Sequence, residues 1–358
     1  MSLPELPGLV SADQLQLTAS TIAEWQLPNG MIPWFPGGHS DPWNHIEAAM
    51  ALAATGNLDQ AEAAYQWLID TQHQEGPGTG GWHQYYLADG VEDPKFDANV
   101  IAYIATGVWH HWLMTGDRGF LETLWPTVEA AITFVLQLQT PIGGIKWARQ
   151  ADGTAFDYAL LTGSSSICHS LRCAVAVGEE LGHERPGWEL SLANLAHAVR
   201  TQPVGAFAPK ERWAMDWYYP VLSGAFDYAD GRAHLDRQAD KFILAGHGVR
   251  CVSDQDWVTA AETCECAMAY QLAGDQSTAL KLFTEALRLR QESGHCLTGL
   301  VQPGNISYPD QECSTYTAAA IILAADALSG SSPASALFVN HAGLPDIIET
   351  QAPVPRSD

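Results

Sequence analysis

Along this chain, a helix with no polar face repeatedly gives way, after a turn of one or two residues built on glycine, to a helix with a single polar face. A helix that is apolar all round has to be enclosed by other helices, and one with a single apolar stripe has to cover them. The enclosed type is expected over 43–55, 97–114, 167–181, 222–229, 257–273 and 313–328. The covering type is expected over 11–26, 58–74, 120–139, 188–200, 233–244 and 277–290. Short turns (Gly56-Asn57, Gly116-Asp117, Gly182, Asp230-Gly231, Gly274-Asp275) lie on one side of each pair and long aromatic loops on the other. About twelve helices in six such pairs, with no alternating β stretch of useful length, predict an all-α (α/α)6 barrel closed on itself. The barrel is expected to occupy 1–330 as one domain, with the Ser/Pro-rich tail 331–358 loosely ordered.

In such a barrel the long loops meet at the N-terminal ends of the inner helices and form one funnel. The acidic residues heading those helices, Asp41, Asp97, Asp216, Asp256, Glu262 and Glu312, would then face a common cavity despite their spread along the chain. Rings and amides stand beside them: Trp34, Trp43 and Asn44; His83, Gln84 and Tyr85; Trp217 and Tyr219; Trp257. Carboxylates among aromatic rings suit a carbohydrate, whose edges carry hydroxyls and whose C–H faces stack on rings. These residues are the expected substrate-binding set, and an oligo- or polysaccharide the expected partner.

Composition narrows the choice. With 17 Lys+Arg against 41 Asp+Glu the net charge is −24, which excludes nucleic acid and anionic membrane as partners, since both are held through basic surface. The seven cysteines are scattered with no C-x-x-C pair and read as reduced thiols of a cytoplasmic protein. The opening MSLPELPGLV has neither the basic region nor the apolar run of a secretory signal. Histidines and cysteines are not spaced as a metal centre, and phosphate and dinucleotide loops are missing, so no metal or cofactor is expected.

Glycoside hydrolysis needs one protonated carboxyl to assist the leaving oxygen and one ionised carboxylate to activate water, roughly 6.5 to 9.5 Å apart in an inverting enzyme. Glu262, set in the apolar run WVTAAETCECAMAYQLA, reads as the acid with a raised pKa. Asp41, in the open loop GGHSDPWN, reads as the base, although its place before Pro42 also fits a helix N-cap. Glu312 is the second choice for the base. Asp97 and Asp256 read as caps or hydroxyl ligands. Glu265, one turn beyond Glu262, reads as a structural partner of a buried arginine such as Arg172 or Arg250.

The segment FDANVIAYIATGVWHHWLMTGDRGFLETLWPTVEAAITFVLQLQTPIGGIKWA resembles the repeat of glucoamylase-type (α/α)6 glycoside hydrolases. More narrowly, GGHSDPWNHIEAAMALAATGN and VSDQDWVTAAETCECAMAYQLAGD resemble the actinobacterial family often labelled prenyltransferase-like, which includes the mycobacterial methylmannose polysaccharide hydrolases. The resemblance implies endo-hydrolysis of an α-1,4-linked, partly methylated mannan in the cytosol. Methoxyl groups would lie well against the many rings.

Other chemistries share the architecture. A class II terpene cyclase uses D-x-D-D, and Asp254-Gln255-Asp256-Trp257 lacks the final acid; a protein prenyltransferase needs a zinc set absent from this sequence. A sugar epimerase would use a histidine pair such as His83 and His247. A non-catalytic glycan-binding barrel would keep the rings and dispense with Glu262.

Overall fold

The computed structural model describes residues 3–348. Fourteen α segments follow in order among them: α1 (Ala12–Trp25), α2 (Pro42–Ala54), α3 (Leu58–Thr71), α4 (Ala98–Ala102), α5 (Ile104–Thr115), α6 (Arg118–Leu136), α7 (Leu161–Leu181), α8 (Pro186–Thr201), α9 (Met215–Leu222), α10 (Tyr228–Asp236), α11 (Ala239–Phe242), α12 (Ala260–Leu272), α13 (Gln276–Ala286) and α14 (Thr315–Ser329). Two helices of the expected twelve are each divided: the second inner one into α4 and α5, and the fourth outer one into α10 and α11. None of the helices is long and apolar enough to cross a membrane, among the described residues.

Helix composition decides which helices go inside. In α2, 11 of 13 residues are buried and in α14, 13 of 15, with alanine the commonest among them, whose small side chain lets neighbouring helices approach closely. In α1 and α3 only 5 of 14 are buried, all on one stripe. The inner helices touch one another in an order that returns to its start: α2 packs on α5, α5 on α7, α7 on α9, α9 on α12, α12 on α14, and α14 on α2.

Two repeated devices tie this arrangement together. Each long loop is hydrogen-bonded to the next. Ser40 bridges Tyr86, Phe96 pairs with Arg149, and the Ala208 amide donates to Ala159 O. Trp213 bridges Val252, Trp257 pairs with Val301, and the Thr315 amide returns to Trp34 O in the first loop. On the outside, a side chain just past one outer helix clamps the next outer helix. Gln26 Nε2 donates to Gly30 O and to Gln60 O of α3 at 3.0 and 2.9 Å. Gln72 Nε2 donates to Gly80 O and Thr127 O of α6, both at 2.9 Å, and Gln139 Nε2 to Gly143 O and Ser191 O of α8 at 3.1 and 2.9 Å. After α13 the role passes to Arg290, which reaches Thr18 Oγ1 (2.8 Å) and Gln14 O (2.6 Å) of α1. The clamp loop must press its backbone onto the helix. Gly80, at φ +88°, is therefore glycine of necessity: a Cβ there would stand 2.3 Å from Ala130 O.

Three expectations need correction. The fourth inner helix is α9 at Met215–Leu222, ending where 222–229 was expected to begin. Pro220 marks this stretch as loop in sequence, but it lies inside α9, where it forgoes one i→i−4 hydrogen bond, and the helix stops two residues later. The segment after Gly330 is not loose as far as 348: Leu337 and Phe338 are buried, and Ser332 caps back onto Asp326. His169 Nε2 donates to Leu337 O and Arg172 Nε to Pro345 O. Residues 349–358 lie outside the described residues. Finally, α7 starts at Leu161 and not at 167, so that Ser164, Ser165 and Ser166 are buried positions within it.

Candidate functional site

A cavity of about 330 Å³ opens among the long loops at the N-terminal ends of α2, α4, α9, α12 and α14. Of the residues expected there, Trp34, Asp41, Trp43, Asn44, Gln84, Tyr85, Asp97, Trp257 and Glu262 line it together. Asn99, Val100, Met215, Thr259, Ala261, Glu265, Thr298 and Tyr316 complete the wall.

Asp41 is the N-cap of α2, accepting from the Asn44 amide at 3.0 Å. Its other oxygen accepts from Trp34 Nε1 and Asn44 Nδ2, each at 2.7 Å. An ionised carboxylate offers about four acceptor sites, so these three bonds leave one unfilled. Burial pushes the Asp41 carboxyl above the usual carboxylate range, and the Asn44 and Trp34 donors pull against that rise. The loop around it is held by His45, whose Nδ1 accepts from the Ile32 amide (3.0 Å) while Nε2 donates to Ala64 O (2.9 Å). Asp97 caps α4 through the Asn99 and Val100 amides, and burial raises its pKa to about 6.

Glu262 stands in the first turn of α12, half-buried at the cavity wall, and not deep in the apolar run where the sequence suggested it. Glu265 is the buried one. Its partners are not arginines: Oε1 accepts from Tyr219 Oη at 2.9 Å and Oε2 from Tyr218 Oη. Burial holds its pKa well above the usual value, and the charge of Glu47 adds to the rise. Glu47 in α2 accepts from Tyr103 Oη, and burial lifts it to about 7. Glu265 in the cavity wall, with Glu47, Tyr103, Tyr218 and Tyr219 behind it, thus forms a buried carboxyl–tyrosine floor in which burial favours the protonated carboxyls. Arg172, by contrast, binds the tail, and Arg250 pairs with Asp256 at 2.8 Å.

Three polar atoms of the wall are buried without a hydrogen-bond partner among the described residues: Gln84 Oε1, Asn99 Oδ1 and Thr259 Oγ1. Their side chains nevertheless put amide and hydroxyl groups into the lining of the cavity. Rings provide the complementary surface. Trp34 meets Tyr316 edge-on with centroids 4.9 Å apart, and Trp43 stacks on Tyr103 at 4.7 Å.

Six expected residues lie elsewhere. His83 bonds Pro94 O and stacks on Phe96. Asp216 accepts from Thr162 N and Oγ1, joining α9 to α7. Trp217 is core, its Nε1 donating to Leu235 O. Tyr219 lies behind the wall on Glu265. Asp256 pairs with Arg250 in the open, and Glu312 stands behind Thr298, accepting from its hydroxyl at 2.9 Å. Met215 is what α9 presents instead, a direction that depends on where the helix starts. Tyr316 and Glu47 were overlooked in sequence because an apolar helix of this kind gives no phase by which to orient a single polar residue. His247 does not line the cavity, and Asp254 pairs with Arg212 at 2.7 Å.

No family model matches the chain. It is 46% identical over 337 residues to the MMP endo-(1,4)-3-O-methyl-alpha-D-mannosidase of Mycolicibacterium hassiacum, an alignment covering 94% of this chain and 92% of that protein. Among solved structures it is similar to a wild-type glycosidase (TM-score 0.68, 14% identity, 91% of this chain and 100% of that one). It is also similar to a D-mannose isomerase (TM-score 0.64, 12% identity, 90% and 98%). At such identities these structures speak for the fold alone, and the fold carries both chemistries.

Proposed function

We propose, since this chain belongs to the family of the Mycolicibacterium hassiacum MMP endo-(1,4)-3-O-methyl-alpha-D-mannosidase, that it is a glycoside hydrolase cutting α-1,4-linked, 3-O-methylated mannan within the chain, with inversion. Glu262, as the acid, hands its proton to the glycosidic oxygen as the C–O bond breaks. Asp41 takes a proton from the water that attacks the anomeric carbon from the opposite face, and the product is a β-hemiacetal. Burial supports Asp41 in this role, because a carboxylate held above its usual pKa accepts a proton more readily. Asn44 and Trp34 fix its direction. Glu312, behind Thr298, has no such access.

The observation that carries the reading is the meeting, in one cavity, of Asp41 and Glu262 with three unpartnered polar atoms and a set of rings. The substrate class comes from the relative. Gln84, Asn99, Asp97 and Thr259 are the hydroxyl ligands in this reading, and Trp34, Trp43, Tyr85 and Trp257 the surfaces for C–H faces and methoxyl groups. The same reading takes the inner helices as an (α/α)6 toroid in one domain, supported by their closed order of contact. The seven free cysteines support a cytoplasmic setting.

The test is to incubate the protein with 3-O-methylated α-1,4-mannan, plain α-mannan, an α-glucan and a polyprenyl diphosphate, following products by NMR. Expected is internal cleavage of the methylated mannan with β-hemiacetal formed first. Product from the diphosphate alone, or an α-hemiacetal, overturns the reading or its stereochemistry respectively.

A further inference from the structure

The cavity is too small for a polymer, so the sugar units beyond the two joined by the cut bond have to lie over its rim. Two places on that rim are built for them. Beside Asp97, Trp147 and Tyr158 stack with centroids 5.7 Å apart and planes 22° apart in the third loop, where the Trp147 amide donates to Tyr158 O at 2.9 Å. Tyr158 is 39% exposed; partial burial, and after it the charge of Asp97, raise its pKa. Across the cavity, Trp257 lines the wall and Tyr308 stands against it edge-on at 5.3 Å, held by Trp257 Nε1 donating to Tyr308 O at 3.1 Å. Tyr308 is 54% exposed. The cavity residues Asp97 and Asn99 come from α4 and its entry, and Trp257, Thr259 and Glu262 from α12 and its entry. These helices are three places apart in the order of inner helices, so the two pairs face each other across the opening.

Resting on the function proposed above, we propose that Trp147 with Tyr158, and Trp257 with Tyr308, are two stacking platforms that hold the sugar units next beyond the two joined by the scissile linkage. They set the path of the polysaccharide across the rim. A large ring left half open costs apolar exposure unless something covers it, and two such rings continuous with one carbohydrate cavity have a common occupant. A 3-O-methyl group adds apolar surface to each unit and strengthens that stacking. A chain held on both sides is cut internally, whereas a one-sided platform would favour cutting at an end.

The experiment uses Tyr158→Ala, Tyr308→Ala and the double variant, all at exposed positions. The ratio of kcat/KM on a long methylated mannan to that on a short methylated oligosaccharide is expected to fall about 3- to 10-fold for each variant, and multiplicatively for the double. A ratio that does not move in the double variant overturns the platforms while leaving the hydrolase reading intact. Affinity for the long glycan is measured in parallel by tryptophan fluorescence in the Glu262→Gln background. There the tyrosine variants weaken binding by a similar factor, and unchanged affinity overturns the proposal even if wild-type protein cleaves nothing. A wild type that binds the glycan on both platforms without cutting it would sink the hydrolase reading alone.

Discussion

Replacing Glu47 by glutamine should change how stability depends on pH, by an amount the structure fixes. The carboxyl is 7% exposed, accepts from Tyr103 Oη, and is lifted by burial from 4.5 to about 7. Between those values the unfolded chain gives up the proton and the folded chain keeps it. Folding stability therefore falls as pH rises from 4.5 to 7 and levels off above. A gap of about 2.5 pH units, at about 1.4 kcal/mol each, makes this loss about 3 kcal/mol. Glutamine cannot ionise and still offers an oxygen to Tyr103. Urea unfolding followed by tryptophan fluorescence at pH 4.5 and pH 8 should show Glu47→Gln losing about 3 kcal/mol less than wild type across that interval. Asp97 and Asp326, each raised to about 6, weigh on both proteins equally. So does His45, lowered to about 4, whose contribution is lost as pH falls from 6.5. Parallel curves for the two proteins would refute the buried, proton-retaining floor.

Glu262→Gln and Asp41→Asn should each lower kcat about 10²- to 10⁴-fold with KM within a few-fold, measured as new reducing ends; a variant of either that keeps full rate removes that residue from the chemistry. Gln72→Leu takes donors from Gly80 O and Thr127 O together, and should cost about 2 to 4 kcal/mol in chemical unfolding without altering KM. Gly80→Ala forces a left-handed backbone and a clash with Ala130 O at once, and should cost at least about 2 kcal/mol by the same assay.

Much of this could be read from residues alone, because the enclosed and covering helices differ in composition along their whole length. Asp41 and Glu262 line one cavity, as expected of acidic residues on enclosed helices, although the sequence put Glu262 deeper in its helix than the first turn of α12. The failures come from local competition. Pro220 within α9 displaced the fourth pair by about a turn and a half, and with it the facing of Asp216, Trp217 and Tyr219. Glu265 was given an arginine because a buried charge asks for one, whereas two tyrosine hydroxyls and a retained proton serve instead. His83 and Asp256 lie on loops, where side-chain direction follows no period. The packing of 331–348 rests on backbone carbonyls bonded by His169 and Arg172, which leave no trace in the hydropathy of the tail.

The clamp from Arg290 to Thr18 joins residues 272 apart in sequence. At roughly 5 to 20 residues per second, a ribosome finishes the guanidinium tens of seconds after it has finished the helix that waits for it. Through that interval Leu15 and Ile22 have their final neighbour α14 still unmade. The first helix therefore keeps its apolar stripe uncovered until the stretch from Arg290 through α14 has been made.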